Sequence, residues 1–175
     1  NRIVDSSAPL EDLIENPVTR TLELKHKPHP KIPLPSDIYG ERRKNSWGFD
    51  LSNLLTLKQL QQDMLEASKQ KWQAGPIIGG NLLCQDENPV YDPSDHRRVV
   101  GFAAEANEDQ VEEALSRAEN AFESWDQAGV KTRAECLQKM ADLLEENQAK
   151  LMMIAVREAG KTIPDAQAEV REAVD

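Results

Sequence analysis

Two cysteines are the residues of this sequence that could act as nucleophiles. Cys84 precedes the first predicted strand, and Cys136 lies in a predicted helix. A cysteine attacks as its thiolate, which requires a neighbouring histidine or a helix N-terminus to lower the pKa of the thiol. The sequence indicates neither arrangement for these two residues, and we therefore predict no catalytic residue in the chain.

Three histidines are the candidates for metal binding. His26 and His29 are close in sequence, but they lie in a proline-rich stretch that cannot form a regular helix, and His96 is distant from both. No pair of cysteines with the spacing of a metal site accompanies them. The pattern favours a solvated linker, and we predict no metal ligand.

One glycine pair is the candidate for a cofactor-binding loop, and one lysine is the candidate for a reactive amine. Gly79 and Gly80 lack the spacing of a dinucleotide-binding loop and precede no predicted helix, so we predict no cofactor-binding residue. Lys161 follows Glu158-Ala159-Gly160, where it is either a reactive amine or a cation near the negative end of a helix that ends at Gly160. The second interpretation needs no further assumption and is favoured.

Charge and hydrophobicity exclude several classes of partner. The 175 residues carry a net charge of −10, and the negative excess lies in residues 51–175, because residues 1–50 are neutral. The short basic run Arg42-Arg43-Lys44 is flanked by acidic residues, so we expect no nucleic-acid interface. No apolar run is long enough to span a membrane, and no secretory segment is recognisable, so we expect a cytoplasmic protein.

The first 50 residues are rich in proline and differ from the rest. Residues 1–16 predict short helical pieces, and residues 17–50 predict extended, polyproline-like chain because proline fixes φ and removes a hydrogen-bond donor. We therefore assign residues 1–50 to a linker. Only 5% of the whole chain is aromatic, which predicts an incomplete core that needs a partner segment.

Residues 51–175 show the periodicity of helices interrupted by one β-hairpin. Apolar residues at three- and four-residue spacing predict one long helix over residues 51–73, ended by Gly75-Pro76. Residues 88–93 and 99–103 predict two strands joined by residues 94–97. Four further helices are predicted to begin at the capping-box patterns of Asn107 and Thr132, at about Gln148, and at Thr162. The fragment is thus predicted to be mostly α-helical, with a small hairpin and an extended N-terminal arm.

Six strings in register resemble the opening of aldehyde dehydrogenases. They are Asn88-Pro89-Val90-Tyr91-Asp92-Pro93, Val99-Val100-Gly101, the segment from Ala114 to Trp125, Arg133-Ala134, Leu143-Leu144-Glu145, and Arg157-Glu158-Ala159-Gly160-Lys161-Thr162. The resemblance implies that residues 51–175 are the N-terminal part of an α/β aldehyde dehydrogenase domain.

Further stretches resemble one branch of that family. The segment from Ala166 to Asp175 is similar to L-glutamate gamma-semialdehyde dehydrogenases, also called 1-pyrroline-5-carboxylate dehydrogenases. The segments 29–40 and 45–51 resemble the connector of bifunctional proline utilization A flavoenzymes, and Asn1-Arg2-Ile3 looks like the residues that follow their proline dehydrogenase barrel.

This resemblance implies a parent enzyme that oxidises proline to glutamate in two steps. An FAD-dependent proline dehydrogenase acts first, and an NAD-dependent dehydrogenase then oxidises the semialdehyde. In that family the flavin site, the nucleophilic cysteine and the dinucleotide loops lie outside the segment that this chain matches, so we expect the fragment alone to be inactive and to bind neither NAD nor FAD. The expected partners are the remainder of its own chain, a small-molecule substrate and further copies in a homo-oligomer.

Glu172 is the one residue that the resemblance assigns to substrate binding. It matches the helix glutamate that family members point at the α-ammonium group of the semialdehyde. At about 100° per residue, Glu172 lies almost opposite the apolar face of Ile163, Ala166, Val170 and Val174. That position suits a substrate cavity and plain solvent equally well, and both interpretations stay open.

A second class of function is a free-standing helical adaptor with a proline-rich arm. The sequence starts at Asn1 without an initiator methionine and stops at Asp175 inside a helical pattern, which suggests a fragment of a longer enzyme. A reading frame that continues into strand–helix repeats and a later catalytic cysteine would support the enzyme, and a stop codon after Asp175 would support the adaptor.

Overall fold

The computed structural model describes residues 6–25 and 27–175, and of Asp12 it describes the backbone. The chain divides into two compact units, one ending at Asn45 and the other comprising Ser46–Asp175. Predictions that concern residues 1–5 or His26 lie outside the described residues. The assignment of residues 1–50 to a linker and 51–175 to a dehydrogenase domain remains a prediction.

The first unit contains two short helices, α1 (Leu10–Ile14) and α2 (Pro17–Glu23), and a 3-10 turn at Pro35–Asp37. The prediction of extended chain from residue 17 is wrong at α2. Pro17 occupies the first helical position, where a missing N–H costs nothing, and the Asn16 side chain caps the helix by accepting the N–H of Val18 at 2.9 Å.

The second unit opens with helix α3 (Leu54–Ala67), whose N-terminus is capped by Asn53. The prediction of a helix over residues 51–73 is wrong at its C-terminal end. Trp72 begins strand β1 (Trp72–Ala74), which pairs in parallel with a later strand, so its apolar side chain follows a sheet and not the helical period. The helix ends at Ala67 and not at Gly75-Pro76, which follows the strand.

Four more short strands follow β1: β2 (Ile77–Ile78), β3 (Asn81–Leu82), β4 (Asn88–Asp92) and β5 (Asp95–Ala103). Strands β2 and β3 form an antiparallel hairpin, and the other three form a sheet of order β1-β5-β4. The β4–β5 hairpin is confirmed, but its connection is shorter than predicted because β5 already begins at Asp95. Cys84 therefore follows three strands and does not precede the first, which corrects that prediction.

The C-terminal half contains four helices: α4 (Glu108–Gln127), α5 (Gly129–Glu146), α6 (Gln148–Ala159) and α7 (Ile163–Val174). The capping box of Asn107 and Gln110 is confirmed. The capping box predicted at Thr132 is wrong, because α5 already begins at Gly129 and Thr132 lies inside its first turns. Gly160 ends α6 in the left-handed conformation, and Thr162 caps α7, both as predicted.

The core of this unit is small. It is built on Leu60, Met152, Ala166 and Val170, which join α3, α6 and α7. The outer faces of α4 and α5 remain exposed at the following apolar residues: Val111, Leu115, Phe122, Val130, Leu137 and Met140. The prediction of an incomplete core is confirmed. Among the described residues, no helix combines the length and the hydrophobicity that crossing a membrane requires.

Candidate substrate-contact site

Glu172 lies in the last turn of α7 and its side chain is exposed. Ala166 and Val170 are buried on the opposite face, so the helical periodicity predicted the orientation of α7 correctly. Within the described part of the chain, Glu172 forms no hydrogen bond or ion pair. Its carboxylate is thus available to accept hydrogen bonds from a cationic ligand.

The N-terminal end of α7 is fixed by local hydrogen bonds. The Thr162 hydroxyl accepts the backbone N–H of Asp165 at 3.3 Å, as expected for an N-cap. Lys161 Nζ donates to Glu169 Oε1 at 2.7 Å, and this partner raises the pKa of the lysine. Lys161 therefore remains charged and is paired with α7, which supports the structural interpretation of this residue over a reactive amine.

The C-terminal end of α7 is held by residues Ser46–Phe49, which we call the strap. Asp175 accepts the Ser46 N–H through Oδ1 at 3.1 Å and the Ser46 hydroxyl through Oδ2 at 2.8 Å. Arg171 Nε donates to the same hydroxyl oxygen at 3.1 Å. Ser46 is only 5% exposed, so its hydroxyl is a buried polar group whose donor and acceptor are both used.

Three further hydrogen bonds bind the strap to helices α5, α6 and α7. Trp47 N–H donates to Glu145 at 2.6 Å, and Phe49 N–H donates to Gln167 at 2.7 Å. The carbonyl of Trp47 accepts from Gln148 Nε2 at 3.1 Å. Side chains from three helices thereby satisfy the backbone of a segment that belongs to no helix or strand.

Asp92 is the centre of a second cluster, which the sequence did not reveal. Its side chain is buried at the end of β4, and Oδ1 accepts the N–H and the hydroxyl of Ser94 at 2.8 and 2.6 Å. Oδ2 accepts from Arg98 at 2.5 Å and from Arg157 of α6 at 3.2 Å. These bonds, led by those from Ser94, hold the pKa of Asp92 well below its ordinary value. With both oxygens occupied, Asp92 joins the hairpin to α6 and has little capacity left for a ligand.

The cysteines and histidines that the structure describes form no recognisable reactive group. Burial and the neighbouring Glu87 raise the pKa of Cys84, which disfavours its thiolate, and Cys136 lies exposed on α5. No cluster of His, Cys, Asp and Glu suited to a metal ion occurs in residues 6–25 and 27–175. His29 Nδ1 accepts the N–H of Lys31, and His26 lies outside the described residues.

The described residues also contain no loop of the kind that binds the phosphates of a dinucleotide. Gly79 and Gly80 both have positive φ, but they form the turn between β2 and β3. A dinucleotide loop joins a strand to a helix whose N-terminus holds the phosphates. The Gly79-Gly80 turn therefore does not fit the phosphate-binding loop of a dinucleotide site.

Comparison with known proteins places this arrangement in a family. The model of the aldehyde dehydrogenase family matches residues 83–175, which is more than half of the chain. The matched region includes the β4–β5 hairpin and α4–α7. The chain belongs to the aldehyde dehydrogenase family.

Particular relatives match the whole chain. The bifunctional protein PutA of Salmonella typhimurium is 42% identical over 181 residues, which cover 100% of this chain and 14% of that protein. A PutA variant from Bradyrhizobium japonicum has a TM-score of 0.63 at 26% identity, over 99% of this chain and 14% of its own. The predicted resemblance to proline utilization A is confirmed, and this chain spans about one seventh of the length of such relatives.

A second relative shares the fold over three quarters of the chain. The 1-pyrroline-5-carboxylate dehydrogenase of Thermus, solved with bound NAD, has a TM-score of 0.69 at 26% identity, covering 75% of this chain and 26% of that one. The predicted class, an α/β aldehyde dehydrogenase-like fold of which this chain is a mostly helical part, is confirmed.

Proposed function

We propose that this chain is the connector and the first part of the dehydrogenase half of a bifunctional enzyme that oxidises proline to glutamate. The observation that carries the proposal is the similarity to PutA over the whole chain, including residues before the family match begins at residue 83. The 1-pyrroline-5-carboxylate dehydrogenase of Thermus covers 75% of the chain. In the parent enzyme FAD would serve proline oxidation, and NAD would serve oxidation of L-glutamate gamma-semialdehyde.

Within that enzyme, Glu172 binds the substrate at the end remote from the aldehyde. L-glutamate gamma-semialdehyde carries an α-ammonium group, which needs an anionic or carbonyl partner when it leaves water. The carboxylate of Glu172 is exposed and has no bonding partner among the described residues, which supports this role. An ion pair there fixes the position of the substrate but takes no part in bond making, and the reacting residues belong to other parts of the parent enzyme.

The remainder of the parent chain is the proposed partner of the exposed apolar residues on α4 and α5. Exposed apolar residues clustered on two consecutive helices are typical of surfaces that are covered in the complete protein. A homo-oligomeric assembly and a cytoplasmic location remain predictions of the sequence.

The proposal is tested by comparing the full-length protein with the 175-residue chain. We expect the full-length protein to reduce an electron acceptor when given proline, and to reduce NAD when given L-glutamate gamma-semialdehyde. We expect the 175-residue chain to produce no NADH and to show no saturable heat of NAD binding in calorimetry. A full-length protein without either activity would overturn the function, and saturable NAD binding by the chain would overturn the assignment of NAD binding to other segments.

A further inference from the structure

The strap concentrates its contacts on one end of one helix. Two of the residues that bind it, Arg171 and Asp175, flank Glu172 in sequence, and a third, Gln167, lies one turn earlier on α7. The strap therefore supplies tertiary contacts to the turn of α7 that carries Glu172.

The geometry of the helix connects these contacts to Glu172. At about 100° per residue, the direction of Glu172 differs from that of Asp175 by about 60° and from that of Arg171 by about 100°. Glu172 thus projects beside the strap and not beneath it. A shift of Arg171 and Asp175 would move the backbone that carries Glu172.

The close fit at Gly48 shows how near the strap lies to this helix. A Cβ atom on Gly48 would lie 2.9 Å from Cδ of Arg171 and 3.3 Å from the amide of Gln167. The Ser46 hydroxyl connects the strap to this end of α7, because it accepts a hydrogen bond from Arg171 and donates one to Asp175 at the same time. One hydroxyl therefore links the side chains of Arg171 and Asp175, which precede and follow Glu172 in the sequence.

We propose that Ser46 is a positioning residue for substrate selection: by linking Arg171 to Asp175, it fixes the turn of α7 that carries Glu172 and so orients the Glu172 carboxylate toward the substrate ammonium. This inference rests on the proposed function of Glu172. It assigns a role in the dehydrogenase to a residue that precedes the region matched by the family model, residues 83–175.

The test is a double-mutant cycle in the full-length enzyme, with Ser46→Ala, Glu172→Ala and the double variant. The quantity measured is the ratio of kcat/KM for L-glutamate gamma-semialdehyde to kcat/KM for propanal, which has no ammonium group. We expect Ser46→Ala to lower this ratio about fivefold, mainly through a higher KM for the semialdehyde, as for loss of one or two hydrogen bonds. In the Glu172→Ala background, Ser46→Ala should leave the ratio unchanged.

Ser52→Ala is the matched control. Ser52 also donates its N–H and its hydroxyl to an aspartate, at 3.0 and 2.6 Å, but that partner is Asp50, two residues earlier in the chain, and not a residue of α7. We expect Ser52→Ala to keep the wild-type ratio. Amide hydrogen exchange on the full-length enzyme gives a second measurement, in which Ser46→Ala should speed exchange at residues 171–175 while Ser52→Ala should not.

The outcomes separate the inference from the proposed function. If Glu172→Ala lowers the ratio but Ser46→Ala does not, the inference is overturned while the role of Glu172 stands. Equal losses for both substrates in Ser46→Ala would show a merely structural serine and would also overturn it. If Glu172→Ala itself leaves the ratio unchanged, the role of Glu172 fails and the inference fails with it.

Discussion

Asp92 and Glu172 are carboxylates of the same compact unit, and the structure surrounds them in opposite ways. Asp92 is 1% exposed and accepts hydrogen bonds from Ser94, Arg98 and Arg157. Glu172 is exposed, and no described residue bonds to it. The number of hydrogen bonds that a carboxylate already accepts therefore distinguishes a structural role from a ligand-binding one. A saturated carboxylate holds elements together, whereas an open one on a fixed helix can receive a ligand.

The largest expected effect is the loss of the Asp92 carboxylate. We expect Asp92→Ala to lower the midpoint of urea unfolding of the chain by about 1–2 M, because two arginines lose their shared buried partner. Asp95→Ala is the control, since Asp95 bonds to Arg97, whose side chain is 91% exposed, and lies only at a longer 3.9 Å from Arg98. A midpoint change no greater for Asp92→Ala than for Asp95→Ala would contradict the structural role of Asp92.

The pH dependence of stability provides a second way to test the same cluster. The folded-state pKa of Asp92 lies below its ordinary value of 3.8, so its contribution to stability is fully present above that value and is lost as pH falls toward the folded pKa. We expect the advantage of the wild type over Asp92→Asn in free energy of unfolding to shrink on acidification below about pH 4. An advantage that stays constant or grows between pH 6 and pH 2 would show that ionised Asp92 is not the stabilising species.

A smaller effect is expected at Gly160, which ends α6 beside the hairpin. Its φ is +65°, and a Cβ atom there would lie 3.3 Å from Cγ of Pro93. Gly160→Ala should cost about 1–2 kcal/mol in free energy of unfolding, because an L side chain disfavours left-handed backbone. Gly129→Ala has a similar φ of +80° with open space around the Cβ position, so it measures the backbone cost alone. Gly160→Ala should cost at least as much as this control, and a smaller cost would argue against a close fit between α6 and the hairpin.

The smallest expected effect on stability is at Glu172. We expect Glu172→Ala to change the free energy of unfolding of the chain by less than about 0.5 kcal/mol, as for exposed residues without special contacts. Chemical unfolding of the wild type and the variant measures this. A large loss would indicate that Glu172 stabilises the fold, which would remove the contrast with Asp92.

Local patterns in the sequence predicted the parts of the fold that depend on neighbours in the chain. The capping box of Asn107, the glycine at position 160 and the orientation of α7 follow from residues within a few positions of each other. Trp72 was misassigned because its apolar side chain continues the helical spacing, while its strand forms by pairing with β5, about thirty residues later. Thr132 was misassigned because α5 already begins at Gly129, three residues earlier, where no side chain caps the helix.

The sequence predicted one residue of the candidate site, Glu172, but not the residues that surround it. Resemblance to the family singled out Glu172, whose exposed position followed from the helical period. The strap could not be predicted, because Ser46 meets Asp175 across 129 positions of sequence and no local pattern marks such a pair. Asp92 was missed for the same reason: it reads as a turn residue after a strand, and its burial depends on Arg157 of a distant helix.

The proposed pairing of Glu172 with the substrate ammonium is tested most directly by Glu172→Ala in the full-length enzyme. The measurement is the ratio of kcat/KM for L-glutamate gamma-semialdehyde to that for propanal, in the wild type and the variant. If Glu172 pairs with the substrate ammonium, the ratio should fall about thirtyfold or more, because truncating one partner of a buried charge pair costs about 2–5 kcal/mol. An unchanged ratio would contradict this pairing and would leave Glu172 as a solvated residue on the surface of α7.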